Sequence, residues 1–382
     1  MNEKDMDVAD ERHVDDVRPR DRVRAAVTLV ELLVVVSIIT LLMTLLLPAL
    51  ISARASSRQV ACQNNLRQIG VGMHHHADRH GTFCSGAFDW KRDGCVTEIG
   101  WVADAVNGEI PVGKMLCPSN PNQISETYND LTGWDISTLD NCADYRGSEP
   151  RVEPDGTTVI NPCRKIIEDG MAPGGDARLE LVREEILDKH YNTNYTASWI
   201  LVRSALLLDR SGNLKAAVSG CGTSLASRNS SYGPLTLARA DAAVAPLSFI
   251  PLMGCGAAGG ILSHSVGPHA AGIPVVKSFT AGPVVNPTMQ APSFPEGTSR
   301  TGPGGWWATW ARSTLQDYRG FAPVHRGLCN LLFADGSVRG YLDENEDGQL
   351  NSGFEPTADN GFSSADVELP EEEVFSGWSL KP

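Results

Sequence analysis

The stretch TLVELLVVVSIITLLMTLLLPAL, Thr28 to Leu50, contains a single charged residue, Glu31, and reaches a proline, Pro48, near its end. Widened to Val27 and Ile51, it makes 25 residues with one charge. As a helix this run would be about 37 Å long, enough to cross a bilayer with some tilt. A carboxylate inside hydrocarbon costs roughly 2.5–3.5 kcal/mol on insertion scales, so Glu31 calls for a compensating partner. Arg18, Arg20, Arg22 and Arg24 precede the run, and Arg54, Arg58 and Arg67 follow it. The preceding cluster points to a cytoplasmic N-terminus and a single pass. Ala53-Arg54-Ala55 has the small-x-small form of a signal-peptide cleavage site, but such signals have a shorter apolar core, and this core carries Glu31.

Beyond Pro48 the apolar residues Val60, Ala61, Leu66, Ile69 and Met73 recur at largely helical spacing, and Gly81 offers a stop. One helix from 27 to about 79 would be roughly 80 Å long. Its first half, 27–51, is read as the membrane span and its second half, 52–80, as packing on a globular head. The remainder is loop-rich, since glycine and proline supply 60 of the 382 residues. Net charge is -14, which argues against nucleic acid as a partner. Nine cysteines, an odd number, predict some pairing outside the cytoplasm with at least one thiol left over.

Residues 81–355 are read as the head. Tyr195 to Val202 has strand composition, Leu116-Cys117-Pro118-Ser119 reads as a short strand entering a turn, and 245–300 as a long irregular insert. Trp306, Trp307 and Trp310 read as core aromatics. His76 and His80 are four apart but lack the further ligands of a closed metal site. No G-x-S-x-G, P-loop or H-E-x-x-H occurs, so no catalytic residue is assigned and an enzyme is not expected. His325 stands nine residues ahead of Asp335-Gly336, which reads as a primed hairpin turn between strands 328–334 and 337–342. Asp343, Asn345 and Asp347, with Gly348, Gln349 and Asn351, repeat the first half of a calcium loop, but its twelfth position is Phe354. Residues 356–382, with Glu371-Glu372-Glu373, read as an acidic, solvated tail.

The segment Ala26-Val27-Thr28-Leu29-Val30-Glu31 resembles the processing site of type IV prepilins and type II secretion pseudopilins. Placing Glu31 as fifth mature residue makes Val27 the first, 1–26 the leader, and Pro48 the twenty-second, where pilins commonly carry a proline. The glycine and phenylalanine preferred around the cut are here Ala26 and Val27. The stretch Asn64 to Gly70 and the His325 to Gly336 motif resemble a planctomycete-type prepilin-like family described as a domain of unknown function. The resemblance implies an α+β, pilin-like fold, with a long helix on an antiparallel sheet. It also implies cleavage before Val27, N-methylation there, and Glu31 pairing with the new amine of a neighbouring subunit. The implied partners are a prepilin peptidase, other pilin-like subunits and the membrane. By analogy with major pseudopilins, calcium would occupy the 343–351 loop. A monomeric membrane-anchored binding protein is the alternative.

Overall fold

A computed structural model describes residues 28–380. Ala26, Val27 and the leader 1–26 lie outside the described residues. The chain divides after Ala53 into two compact units. A helix runs from Leu29 to His80 with Pro48 inside it, and this is long and apolar enough to cross a membrane. Up to Ala53 its residues are all exposed. Ser37, Thr40 and Thr44 return their hydroxyl protons to the carbonyls of Val34, Val36 and Leu41 at 2.7–2.8 Å. That leaves no unpaired hydroxyl donor on an otherwise apolar surface, as hydrocarbon requires.

The helix begins with a reciprocal cap. The Glu31 carboxylate accepts from the Thr28 backbone N–H at 2.8 Å and from its hydroxyl at 2.9 Å. The Glu31 N–H donates back to the Thr28 hydroxyl oxygen at 3.2 Å. Thr-x-x-Glu is thus a capping box, satisfying end donors that the helix itself cannot. Glu31 therefore has a partner inside its own chain.

In the second unit the helix buries Cys62, Leu66, Ile69, Gly70, Met73 and Ala77. The stripe is shifted from the expected one: Val60 and Ala61 face outward and Cys62 faces in. Leu66, Ile69 and Met73 each contribute roughly 1.5–3 kcal/mol by leaving water. Gly70 is a close-approach position, because a Cβ there would lie 2.9 Å from Leu332 Cδ1 on the sheet beneath.

That sheet has four antiparallel strands in the order Val338–Leu342, Leu328–Phe333, Pro251–Cys255, Tyr195–Ala197. The described residues are therefore mixed helix and sheet, with three small two-stranded ribbons besides. Three expectations need correction. Pro251–Cys255 falls in the supposed irregular insert, yet it is an inner strand with every residue buried. Its neighbours are rich in Gly and Pro, which hid a short apolar run. Tyr195 to Val202 is not one strand: Ser198 caps a helix, Trp199–Arg203, by accepting from the Leu201 N–H at 3.0 Å. Leu116 and Cys117 have no regular structure and Pro118 and Ser119 form a turn, without strand pairing.

The C-terminal hairpin lies where expected, but its turn differs. Only Gly336 has positive φ, at 82°. The Asp335 carboxylate instead accepts from the Ser337 N–H at 2.9 Å. Gly336 N–H donates to Phe333 O and Phe333 N–H to Ser337 O, so this is a three-residue loop with one left-handed glycine, not a two-residue primed turn. The tail is also not solvated throughout. Glu371, Glu372 and Glu373 are exposed, but Leu369, Val374 and Leu380 are buried. Trp378 packs edge-on against Trp307 at 5.5 Å and beside Trp310 at 5.7 Å. Apolar residues spaced between the acids draw the segment into the core.

Candidate metal centre

Four buried side chains converge where the helix meets the sheet. Cys62 comes from the helix, Cys117 from the turn before Pro118, Cys255 from the end of the inner strand, and His325 from the bridge ahead of the hairpin. Cys62, Cys117 and Cys255 are wholly buried and His325 is 4% exposed. Cys62 Sγ lies 3.4 Å from Cys255 Sγ, and Cys255 Sγ lies 4.0 Å from Cys117 Sγ. His325 Nε2 lies 3.3 Å from Cys117 Sγ and 3.5 Å from Cys255 Sγ. All four ligand-type atoms fall within 4.8 Å of one another.

The surroundings fix these positions. Asn194 brackets Cys117, accepting from its N–H at 2.7 Å and donating to its carbonyl at 3.1 Å. Asn65, inside the Asn64 to Gly70 stretch, donates to Met115 O at 2.8 Å and Leu116 O at 3.3 Å. Gln63 donates to Asn330 Oδ1 on the hairpin at 3.2 Å. The helix residues Gln63 and Asn65 therefore hold two of the elements that carry the cluster. At the fourth corner, His325 N–H donates to Leu328 O at 3.0 Å and Leu328 N–H returns to His325 O at 3.2 Å. His325 Nδ1 is buried without a partner.

The thiols do not titrate alike. Hydrogen bonds from Cys117 and Cys255 pull Cys62 well below the usual thiol range, against the effect of burial. Cys117 is drawn down by Cys255, but its bond to Cys62 and its burial leave it pushed up to about 12. Burial, with the neighbouring thiols, holds Cys255 well above the ordinary value. The three thiols therefore titrate as one interacting set, with charge favoured at Cys62 and disfavoured at Cys255.

The residues marked by sequence divide between places. His325 belongs to this cluster, whereas Asp335 is exposed in the turn beyond Phe333, at the far end of a six-residue strand. They form no pair. His76 Nδ1 donates to Thr82 O at 2.7 Å and its Nε2 lies 3.5 Å from Asp104, while the His80 ring lies beside it at 4.5 Å.

In the 343–351 loop, Asp343 accepts from Asp347 N–H at 3.2 Å and Gly348 N–H at 2.9 Å. Asn345 accepts from Asp347 N–H at 3.0 Å, and Asp347 from Gln349 N–H at 2.9 Å. The Gln349 amide turns away to donate to Gly361 O at 2.6 Å. Asn351 accepts from Gly353 and Phe354 at 2.9 and 2.7 Å. Phe354 is buried and stacks on Phe362 at 5.8 Å, as a core residue. Sequence reading missed Glu368, which reaches into this loop and accepts from Glu344 N–H at 2.8 Å and Asn351 N–H at 2.9 Å. Burial holds its carboxyl above the usual range.

Cys62, Cys117 and Cys255 were also missed as a group. Each stood in a stretch already marked, but neither a C-x-x-C pair nor any short spacing links them. The family model of a protein of unknown function (DUF1559) matches residues 51–107 and 99–348, and the chain belongs to that family. The matched span includes all four residues of the cluster. No curated protein matches the chain, and no solved structure does.

Proposed function

We propose that the chain is a non-enzymatic, prepilin-like membrane protein of the planctomycete type. It is cut before Val27 by a prepilin peptidase, N-methylated there, and enters a pilus- or pseudopilus-like filament or a type II-like secretion apparatus. The observation that carries this reading is the long helix from Leu29, apolar up to Ile51, with Glu31 and Pro48 in the fifth and twenty-second places after the cut. The packing of residues 62–77 on an antiparallel sheet supports a pilin-like head. In this reading the span sits in the cytoplasmic membrane, with the N-terminus inside and the head outside. The Cys142–Cys221 disulfide supports an oxidising compartment for the head.

A monomeric anchored binding protein is the second reading, favoured by the capping box, which already gives Glu31 a partner. N-terminal sequencing with mass analysis of the membrane-extracted chain tests the processing, and a methylated Val27 is the expected result. A start at Met1 or near Ser56 overturns it. Crosslinking through a cysteine placed next to Glu31 separates the two readings. A ladder of oligomers that disappears in Glu31→Ala supports the filament, and monomers alone support the anchor.

Calcium is assigned to the 343–351 loop in the same reading, with Asp343, Asn345, Asp347 and Glu368 as oxygen donors. Glu368 replaces the acidic twelfth residue that Phe354 lacks. Calcium at about 100 times its dissociation constant is expected to stabilise the chelator-treated chain by about 2.7 kcal/mol. A thermal melt should show a rise of several degrees, and Glu368→Gln should remove most of it. Because the Glu368 carboxyl lies above its usual range, this gain should fade on acidification at a higher pH than for an ordinary glutamate.

A further inference from the structure

We propose that Cys62, Cys117, Cys255 and His325 bind one zinc ion, through three thiolates and the Nε2 of His325, as a structural cross-link between the helix and the sheet. Zinc–sulfur bonds of about 2.3 Å and a zinc–nitrogen bond of about 2.0–2.1 Å place tetrahedral ligands about 3.6–3.8 Å apart. The four observed separations, 3.3, 3.4, 3.5 and 4.0 Å, straddle that edge length. With every donor within 4.8 Å of the others, the cage admits a single ion. Three soft sulfurs and one imidazole, with no carboxylate among them, suit zinc better than magnesium or calcium.

The competing arrangement is a disulfide. It would use two of the three sulfurs and strand the third beside an imidazole. The nearest pair, at 3.4 Å, is far from the roughly 2.05 Å of a bonded pair. The chain does carry a disulfide elsewhere, between Cys142 and Cys221, so these three thiols stay unbonded in a protein that pairs others.

The ring of hydrogen bonds around the cluster acts as the support that metal ligands need. Asn194 and Asn65 hold the Cys117 turn, and Gln63 holds the hairpin. With its proton on Nδ1, the His325 ring offers its Nε2 lone pair to the centre. Binding displaces the remaining thiol protons to solvent, so affinity falls as pH falls. Cys62 and Cys255 are 193 residues apart and Cys117 and His325 are 208 apart, so one ion closes very long loops of the unfolded chain.

The full chain, extracted in detergent without chelator, should contain close to one zinc per chain by elemental mass spectrometry. After removal of metal under reducing conditions, cobalt(II) should restore a one-to-one complex with the strong visible bands of a tetrahedral thiolate site. Cys117→Ser and His325→Ala, each removing a ligand, should lower zinc affinity by more than the roughly 10–100-fold typical of losing an outer-shell partner. Cys84→Ser, at a buried cysteine outside the cluster, should leave the content near one. Should the ligand variants not fold, the cobalt spectrum of the native sequence still decides the matter. A chain with no metal and no tetrahedral cobalt spectrum overturns the proposal. So does a Cys62–Cys255 disulfide in mapped peptides, or a stoichiometric metal other than zinc.

Discussion

Asp93→Ala is expected to destabilise the head by about 3–5 kcal/mol, the usual cost of stranding one member of a buried ion pair. Asp93 and Arg203 are both wholly buried and meet in a two-bonded fork, at 3.0 and 2.6 Å. Arg203 also donates to Ala226 O at 2.9 Å and to Val202 O at 3.0 Å, and its guanidinium lies 4.7 Å from the centre of the Phe279 ring. It cannot turn to water when its partner is removed. Arg228 reaches the same carboxylate at 3.5 Å from a more exposed position, and it would lose that contact too. Denaturant titration followed by tryptophan fluorescence measures the cost. A loss under about 1 kcal/mol would mean the pair is wetter than it looks. The double variant Asp93→Ala with Arg203→Met should recover much of the loss, since the desolvation of both charges is then avoided.

Removing the Cys142–Cys221 disulfide is expected to cost about 4 kcal/mol in the chain-entropy account. The two residues are 79 apart in sequence, with Cα atoms 5.6 Å apart in the fold. The bond therefore shortens a long loop of the unfolded state. The double variant Cys142→Ser with Cys221→Ser should show an earlier denaturant midpoint, with the remaining seven thiols still protected from alkylation in the folded chain, because all seven are buried. An unchanged midpoint would show that the region 142–221 is already constrained without the link.

The long helix was legible because composition alone decides it: one charge in 25 residues leaves few alternatives. The hairpin was legible because two apolar runs flank Asp335-Gly336, although the turn type depended on the Ser337 contact. The inner strand was not legible. Pro251–Cys255 is five residues long, sits among glycines, and draws its identity from neighbours at 195–197 and 328–333. The helix at Trp199–Arg203 looked like strand because Trp199, Ile200 and Val202 are aromatic or β-branched, and only the Ser198 cap signals otherwise. The centre was hidden for a related reason. Its residues come from four elements with no shared spacing, and helix–sheet packing and side-chain hydrogen bonds bring them together. Glu368 was missed because tail composition suggested solvent, whereas its carboxylate serves loop amides 24 and 17 residues earlier.

The cap at the start of the long helix has a consequence for trimming of the chain. Thr28 and Glu31 close the first turn using only their own atoms, so nothing upstream of Thr28 is required to hold that end. A scission before Val27 leaves the Thr28 amide intact. Under the proposed processing, the rod would keep its first turn wound without the leader.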